Sequence, residues 1–241
     1  MKYVHYYETT SAFTEDYEGE AYLEPWVSYT HENDHVDYNK HGSPSGDYDY
    51  VDLGLPSGTL WATCNIGATS PEEYGNYYAW GETEPKETYT DANYKYSNGA
   101  ATMVTSSLTK YNSSDGLTVL EPSDDAAYVN MGENWHMPTW AQFQELTANT
   151  TTASTQLNDV DGVLFTSKTD PTKTLFIPLA GWKIGSTVES VGSNVNLSST
   201  LLNASSRVNI YGVIIGKTFI SGHGYFNRGV GQTVRGVMDA S

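Results

Sequence analysis

Apolar residues along this 241-residue chain fall into short, separated groups, and one stretch carries a clear helical period. Trp140, Phe143 and Leu146 recur at threes while Gln144 and Glu145 face away, which is the stripe of an amphipathic helix. Pro138 stops what precedes it, Thr139 is placed as N-cap, and Gln142 can reach back to complete a capping box. The pattern predicts a helix over about 140–148, with Trp135 packed under it. A shorter helix is predicted over about 124–131, with Ser123 as cap, acids in its first turn and Gly132 as stop.

Elsewhere the pattern is that of short strands. Two flank the turn signal Pro56-Ser57-Gly58, and two more, 163–168 and 174–178, bracket Asp170-Pro171 as a hairpin. The aromatic and glycine stretch from Glu73 to Glu82 is expected to be half buried, and residues 83–118 read as a long polar excursion. In the last third, Val213–Ile215, Phe219–Ile220 and Val234–Val237 are candidate strands. Between them, Ser205–Tyr211 and Ser221–Arg228 carry polar and aromatic side chains expected on one exposed face. The first 48 residues hold only short apolar pieces and end in the linker-like His41–Gly46, so the chain divides into an arm, 1–48, and a folded domain, 49–241. The arm is either a docking segment, for a larger partner or between protomers, or a solvated leader.

Charge narrows the partners. The net charge is −17, of which −9 falls in residues 1–50, where Lys2 and Lys40 face eleven Asp and Glu. Such a chain lacks the clustered cations that phosphate backbones and anionic lipids require, so nucleic acid and membrane insertion are not expected. Tyr is abundant, at nineteen residues. With the Ser, Thr, Asn and Gly that accompany it, Tyr fits both an extracellular-type β protein and an adaptable binding surface. Cys64 is the single cysteine, so no intrachain disulfide can form, and its apolar neighbours make it a small buried filler. The amino terminus lacks an apolar core and a cleavage site, so no Sec signal is expected in this sequence, and no run approaches membrane-spanning length.

Candidate chemistry is sparse. A hydrolase would need a connected Ser-His-acid set, and His136 and His223 offer none in the sequence. His136, between Trp135 and Met137, reads as a packed histidine; His223, between two glycines, reads as exposed, free to touch a ligand, hold a metal or do nothing. No cofactor is expected. Calcium is the one ion considered, with Asp115, Asp124, Asp125, Asp159 and Asp161 as loop acids, none at EF-hand spacing.

Five motifs in order carry a resemblance. They are Val51–Ala68 (VDLGLPSGTLWATCNIGA), Gly75–Glu82 (GNYYAWGE), Trp135–Thr139 (WHMPT), Ile177–Gly181 (IPLAG) and Val234–Val237 (VRGV). Together they resemble the Fibrobacter succinogenes major paralogous domain, abundant in Bacteroidetes, over about residues 50–239. That domain is similar to the C-type lectin fold, in the branch that holds the formylglycine-generating enzyme and the variable proteins of diversity-generating retroelements. The chain departs from the family pattern twice. Asn203-Ala-Ser-Ser206 stands where Trp-Ser-Ser is usual, and Gly236 stands where the closing motif has proline.

The resemblance implies an α+β, C-type-lectin-like fold of short twisted antiparallel strands, two helices and long ordered loops, preceded by an extended arm. In the variable-protein branch the carboxy-terminal strands and loops meet the ligand, here about Asn203 to Arg228. The expected contact residues are Asn203, Ser205, Arg207, Asn209, Tyr211, His223, Tyr225, Asn227 and Arg228, with Tyr as anchors and Arg as directional donors; Arg235 is assigned to holding the last strand. The formylglycine-generating relatives depend on cysteines in the carboxy-terminal half, which has none here, so no enzymatic activity is expected. The expected function is a ligand- or receptor-binding, adhesin-like module on a phage virion or bacterial surface appendage. Its ligand would be a bacterial surface protein or glycan, and its arm would dock on a virion or appendage protein, with a homo-oligomer as a further expectation. The alternative is a structural virion decoration or fibre protein that assembles through its arm and has no specific ligand.

Overall fold

The computed structural model describes residues 48–240, except for the side chains at 222 and 223. The predicted arm therefore lies outside the described residues, apart from Tyr48. Among those residues the chain is mostly β-sheet with two helices, an α+β arrangement.

The chain opens with β1 (Tyr50–Asp52) and β2 (Leu60–Ala62), antiparallel around the expected turn at Pro56–Gly58, and then β3 (Tyr77–Tyr78). Two helices follow, α1 (Ala126–Met131) and α2 (Trp140–Asn149). Next come β4 (Thr150–Leu157), β5 (Val160–Ser167), β6 (Thr174–Pro178), β7 (Trp182–Ile184) and β8 (Thr187–Glu189). The last strands are β9 (Asn194–Leu202), β10 (Asn209–Gly216), β11 (Ile220–Asn227), β12 (Gln232–Thr233) and β13 (Val237–Met238). They pair antiparallel as β1-β2-β13, β3-β12, β4-β5-β6, β7-β8 and β9-β10-β11.

The helix α2 forms as its sequence dictates. The Thr139 hydroxyl accepts the Gln142 N–H, and the Gln142 side chain accepts from the Thr139 backbone at 2.8 Å. Gln142 then uses its other end to tie the helix to the chain around it, donating to Asp239 Oδ1 at 2.9 Å and Thr59 Oγ1 at 3.3 Å. Glu145 accepts the Ser57 N–H at 2.7 Å, which fastens the β1–β2 turn to the same helix. Its buried Phe143 and Leu146 enter a core with Val51, Trp61, Phe165, Ile177, Val213 and Val237. Each such side chain contributes about 1.5–3 kcal/mol by leaving water.

The structure corrects several expectations. Trp135 does not lie under α2. Trp61 fills that role, with its ring 5.6 Å from Phe143, while Trp135 is buried in a second core beside Met131 and Tyr48. Gly236 is part of that packing: a Cβ there would meet Met131 Sδ at 2.6 Å and Trp135 Cε3 at 3.2 Å. The α1 cap is Asp125, not Ser123; its Oδ1 accepts from Ala127 and Tyr128, and its carboxylate also accepts the Met137 N–H at 2.9 Å. Ser123 instead lies in a 3-10 turn, Pro122–Asp124. Gly132 stops the helix as expected, at φ 106.

Residues 83–118 are not a polar excursion. They hold short 3-10 turns and deliver Tyr89, Tyr94, Tyr96, Met103, Leu108 and Tyr111 to the second core. The hydroxyls make this burial tolerable: Tyr94 Oη donates to the Trp80 carbonyl at 2.7 Å, and Tyr111 Oη to Asp124 Oδ2 at 2.8 Å. Strands β4 and β9 have no counterpart in the apolar pattern, and of the expected strand at Val234–Val237 only Val237 lies in one, β13, while 234–236 form the link from β12. Arg235 between them is buried and donates to Asn65 Oδ1 and the carbonyls of Ala62, Thr63 and Phe176, holding the chain end as assigned.

Candidate binding face on the carboxy-terminal hairpin

The register of β10 and β11 sorts the expected contact residues by parity. Asn209 opposes Asn227, Ile210 opposes Phe226, Tyr211 opposes Tyr225 and Gly212 opposes Gly224. Side chains alternate across a sheet, so Asn209, Tyr211, Tyr225 and Asn227 share one face, and Ile210 and Phe226 share the other. That second face is buried, and its glycines are explained by the Phe226 ring. A Cβ on Gly212 or Gly224 would meet that ring at 2.6 and 2.4 Å.

On the outer face, Tyr225 is 55% exposed. Its ring lies 5.2 Å from that of Tyr211, tilted by 54°, and Tyr211 in turn lies 6.2 Å from Trp140 at the start of α2. Three aromatic rings thus run in a row from the helix across two strands. Trp140 was not among the expected contact residues, because helical periodicity assigned it to the core stripe; the structure leaves it only partly buried.

The loop between β9 and β10 adjoins the Asn209 end of this row and is held by its own side chains. Asn203 Oδ1 accepts the N–H groups of Ser205 and Ser206 at 3.0 and 3.2 Å, and Asn209 Nδ2 donates to Ser206 Oγ at 3.0 Å. Arg207 Nη1 donates to the Leu117 carbonyl at 2.8 Å, and Ser205 is exposed. Asn227 Oδ1 accepts the Gly229 N–H at 2.8 Å. Asn203 and Asn227 therefore shape the backbone, whereas the rings are the parts that project. The side chain of His223 lies outside the described residues.

Arg228 does not belong to this face. It is fully buried, one residue past the outward Asn227 and on the Phe226 side. Nε donates to the Tyr94 hydroxyl at 2.7 Å, Nη1 to the carbonyls of Tyr111 and Arg207 at 3.2 and 3.0 Å, and Nη2 to the Lys110 carbonyl at 2.9 Å. The rings of Trp80, Tyr94, Tyr96 and Tyr111 surround it at 5.1–5.9 Å. Burial pushes the Tyr94 hydroxyl well above its usual range, although the guanidinium beside it pulls the other way. The same period-two alternation that selects Tyr225 and Asn227 puts Arg228 inside.

The remaining candidate chemistry is distributed through the framework. His136 Nδ1 bonds to the Met137 carbonyl at 2.8 Å, and Nε2 stands 3.4 Å from Asp239 Oδ1, beside β13. Cys64 is half-buried, with Sγ 3.6 Å from the Thr63 hydroxyl. Of the acids considered for calcium, Asp124 is bound to Lys95, Lys110 and Tyr111, Asp125 caps α1, and Asp161 pairs with Lys217 at 2.9 Å. Asp115 serves a local turn, accepting from Asn112 and Leu117. Among the described residues no three His, Cys, Asp or Glu side chains converge as a metal site, and no helix is long and apolar enough to cross a membrane. No protein-family model, curated protein or solved structure matches this chain.

Proposed function

We propose that this chain is a non-enzymatic ligand-binding module whose contact face is the row Trp140, Tyr211 and Tyr225, flanked by Asn209, Asn227 and the Ser205–Arg207 loop. The observation that carries the reading is the exposed Tyr225 ring, which packs at a tilt against Tyr211 on a hairpin whose opposite side is core, with Trp140 of α2 behind Tyr211. Large rings left in water on a rigid support lose little conformational entropy on contact and gain much buried area, which is the behaviour of binding anchors. The four central side chains are uncharged in a chain of net charge −17, so a partner meets polar hydrogen-bonding groups and aromatic faces at this point.

The scaffold is read as C-type-lectin-like, on the strength of the five ordered motifs from Val51 to Val237, and as related to the Fibrobacter succinogenes major paralogous domain. The role that fits is adhesin-like, with a bacterial surface protein or glycan as ligand, on a virion or surface appendage to which residues 1–48 attach the domain. The test is binding of the purified chain to bacterial surfaces, comparing wild type with Y211A/Y225A. Loss of binding in a variant that still melts cooperatively, no more than about 2–6 °C below wild type, supports the face, and unchanged binding refutes it. Removing residues 1–48 separates adhesin from decoration: lost assembly with retained ligand binding supports the anchored adhesin, whereas lost assembly with no detectable ligand supports decoration.

A further inference from the structure

Strand β4, Thr150–Leu157, is the outer strand of the β4-β5-β6 sheet, and among the described residues nothing pairs with its far side. Its pairing to β5 is unbroken over all eight positions, and the hairpin closes through Asn158 and Asp159 at φ 48 and 64, the two left-handed positions of a tight two-residue turn. Residues 151–156 are exposed on both faces. Sheet edges are normally blunted by a lysine, a proline, a bulge or a covering loop. Thr-Thr-Thr-Ala-Ser-Thr-Gln-Leu holds no charge, glycine or proline, and most of its residues favour extended backbone.

The phase of the edge can be read from one bond. The Lys168 N–H donates to the Asn149 carbonyl, so every second residue from Asn149 onward bonds to β5. Thr150, Thr152, Ser154 and Gln156 then direct their N–H and C=O groups outward. Beside these residues lies a cleft of about 340 Å³, lined by Thr150, Thr152, Ser154, Val163, Lys217 and Phe219, and Phe219 is itself 50% exposed.

We propose that β4 is a self-pairing edge: a second copy of this chain adds its own β4 antiparallel to it, joining two three-stranded sheets into one of six strands. With this phase twofold symmetry requires a residue to oppose its own copy, and centring on Ala153 pairs the exposed Thr152 and Ser154 reciprocally while Gln156 reaches Thr150, which is itself buried at the start of the strand. Thr150 then faces Gln156 of the second copy, and Thr152 faces Ser154. The smallest side chain of the strand falls on the axis, at a closely spaced position with its N–H and C=O turned away. Charge permits this register, because Thr150–Leu157 carries no ionised side chain. Over the strand itself no like charges meet, although each molecule carries −17. The added strand also covers the cleft beside Phe219. This contact does not depend on the Tyr211–Tyr225 face having a ligand.

The test uses the full chain in sedimentation velocity over a range of concentrations, where a concentration-dependent dimer is expected. A153K sets two ammonium groups opposite each other on the axis, and T152P removes an outward N–H without breaking a bond to β5; each should raise the dimer dissociation constant at least about tenfold. V129K, an exposed site on α1, should leave it unchanged. In a C64S background, A153C should cross-link across the axis under mild oxidation, since closely spaced antiparallel positions fall within disulfide reach. Melting temperatures identify a variant that merely unfolds, and A153C reads the contact even if T152P does so. The proposal is overturned if the wild type stays monomeric throughout, if a dimer persists in A153K, or if a dimer forms in which A153C fails to cross-link.

Discussion

The Arg228 guanidinium and the Tyr94 hydroxyl, on segments far apart in the chain, meet at 2.7 Å in the interior, and the same hydroxyl donates onward to the Trp80 carbonyl. The contact fixes the long 80–111 segment against the end of β11. Arg228 also serves the carbonyls of Tyr111, Lys110 and Arg207, so removing it strands several buried acceptors at once. R228M is expected to cost about 3 kcal/mol or more, because each orphaned group carries a desolvation penalty of about 1–3 kcal/mol. R228K should recover little of this, since an ammonium cannot reproduce the planar fork. Guanidinium unfolding midpoints measure both, and a loss under about 1 kcal/mol would contradict the account.

The aromatic row makes a different prediction at each ring. Y225A removes a mostly exposed side chain and should change stability by no more than about 0.5 kcal/mol while abolishing surface binding. Y211A also loses ring contacts with Trp140 and Tyr225, so about 0.5–1.5 kcal/mol of stability should go with the binding. Thermal melts beside a cell-binding assay distinguish the two.

Asp124 gives the fold an acid-sensitive joint. Burial pushes its carboxyl pKa up, but hydrogen bonds from Lys110, Tyr96, Lys95 and Tyr111 outweigh that and hold it well below the usual carboxylate range. Because the folded value lies below the unfolded one, the stabilisation is fully present above about pH 4 and is lost as the pH falls. Denaturant midpoints of the wild type should therefore drop between about pH 4 and pH 2 more steeply than those of D124N. Equal slopes would remove Asp124 from the explanation. Asp125 works in the opposite sense, because burial raises its pKa in the folded state.

The capping box at the start of α2 separates a local effect from a tertiary one. T139A should cost about 1 kcal/mol, the usual loss of an N-cap. Q142A loses the return bond to Thr139 and also the bonds to Thr59 and Asp239, so it should cost more than T139A. Urea unfolding of both variants checks the order, and the reverse order would show that Gln142 does little beyond the helix.

What could be read from the sequence was local. Thr139 and Gln142, Gly132, the Pro56–Gly58 turn and the Asp170–Pro171 hairpin each signal through neighbours a few residues away, and each forms as expected. What could not be read depends on distant partners. Trp135 and Trp61 are equally apolar, and only the folded chain decides which of them lies against Phe143. The tyrosines from 89 to 111 look polar in sequence because their burial relies on acceptors such as the Trp80 carbonyl and Asp124. Strand β4 lacks alternation because water lies on both of its faces. On the candidate face, Tyr211 and Tyr225 share the outward side of the hairpin, while Arg228, singled out for its charge, follows directly after β11 and is buried.

Strand β2 sits between β1, its immediate neighbour in the chain, and β13, where Trp61 meets Val237. The first hairpin can close early, but its third strand must be captured across almost the whole domain, at the full entropy of a very long loop. Remote pairing of this kind slows folding, because the loop entropy is lost before the contact rewards it. Until β13 docks, β2 has an open side, and the domain depends on reaching that late step before another chain occupies it.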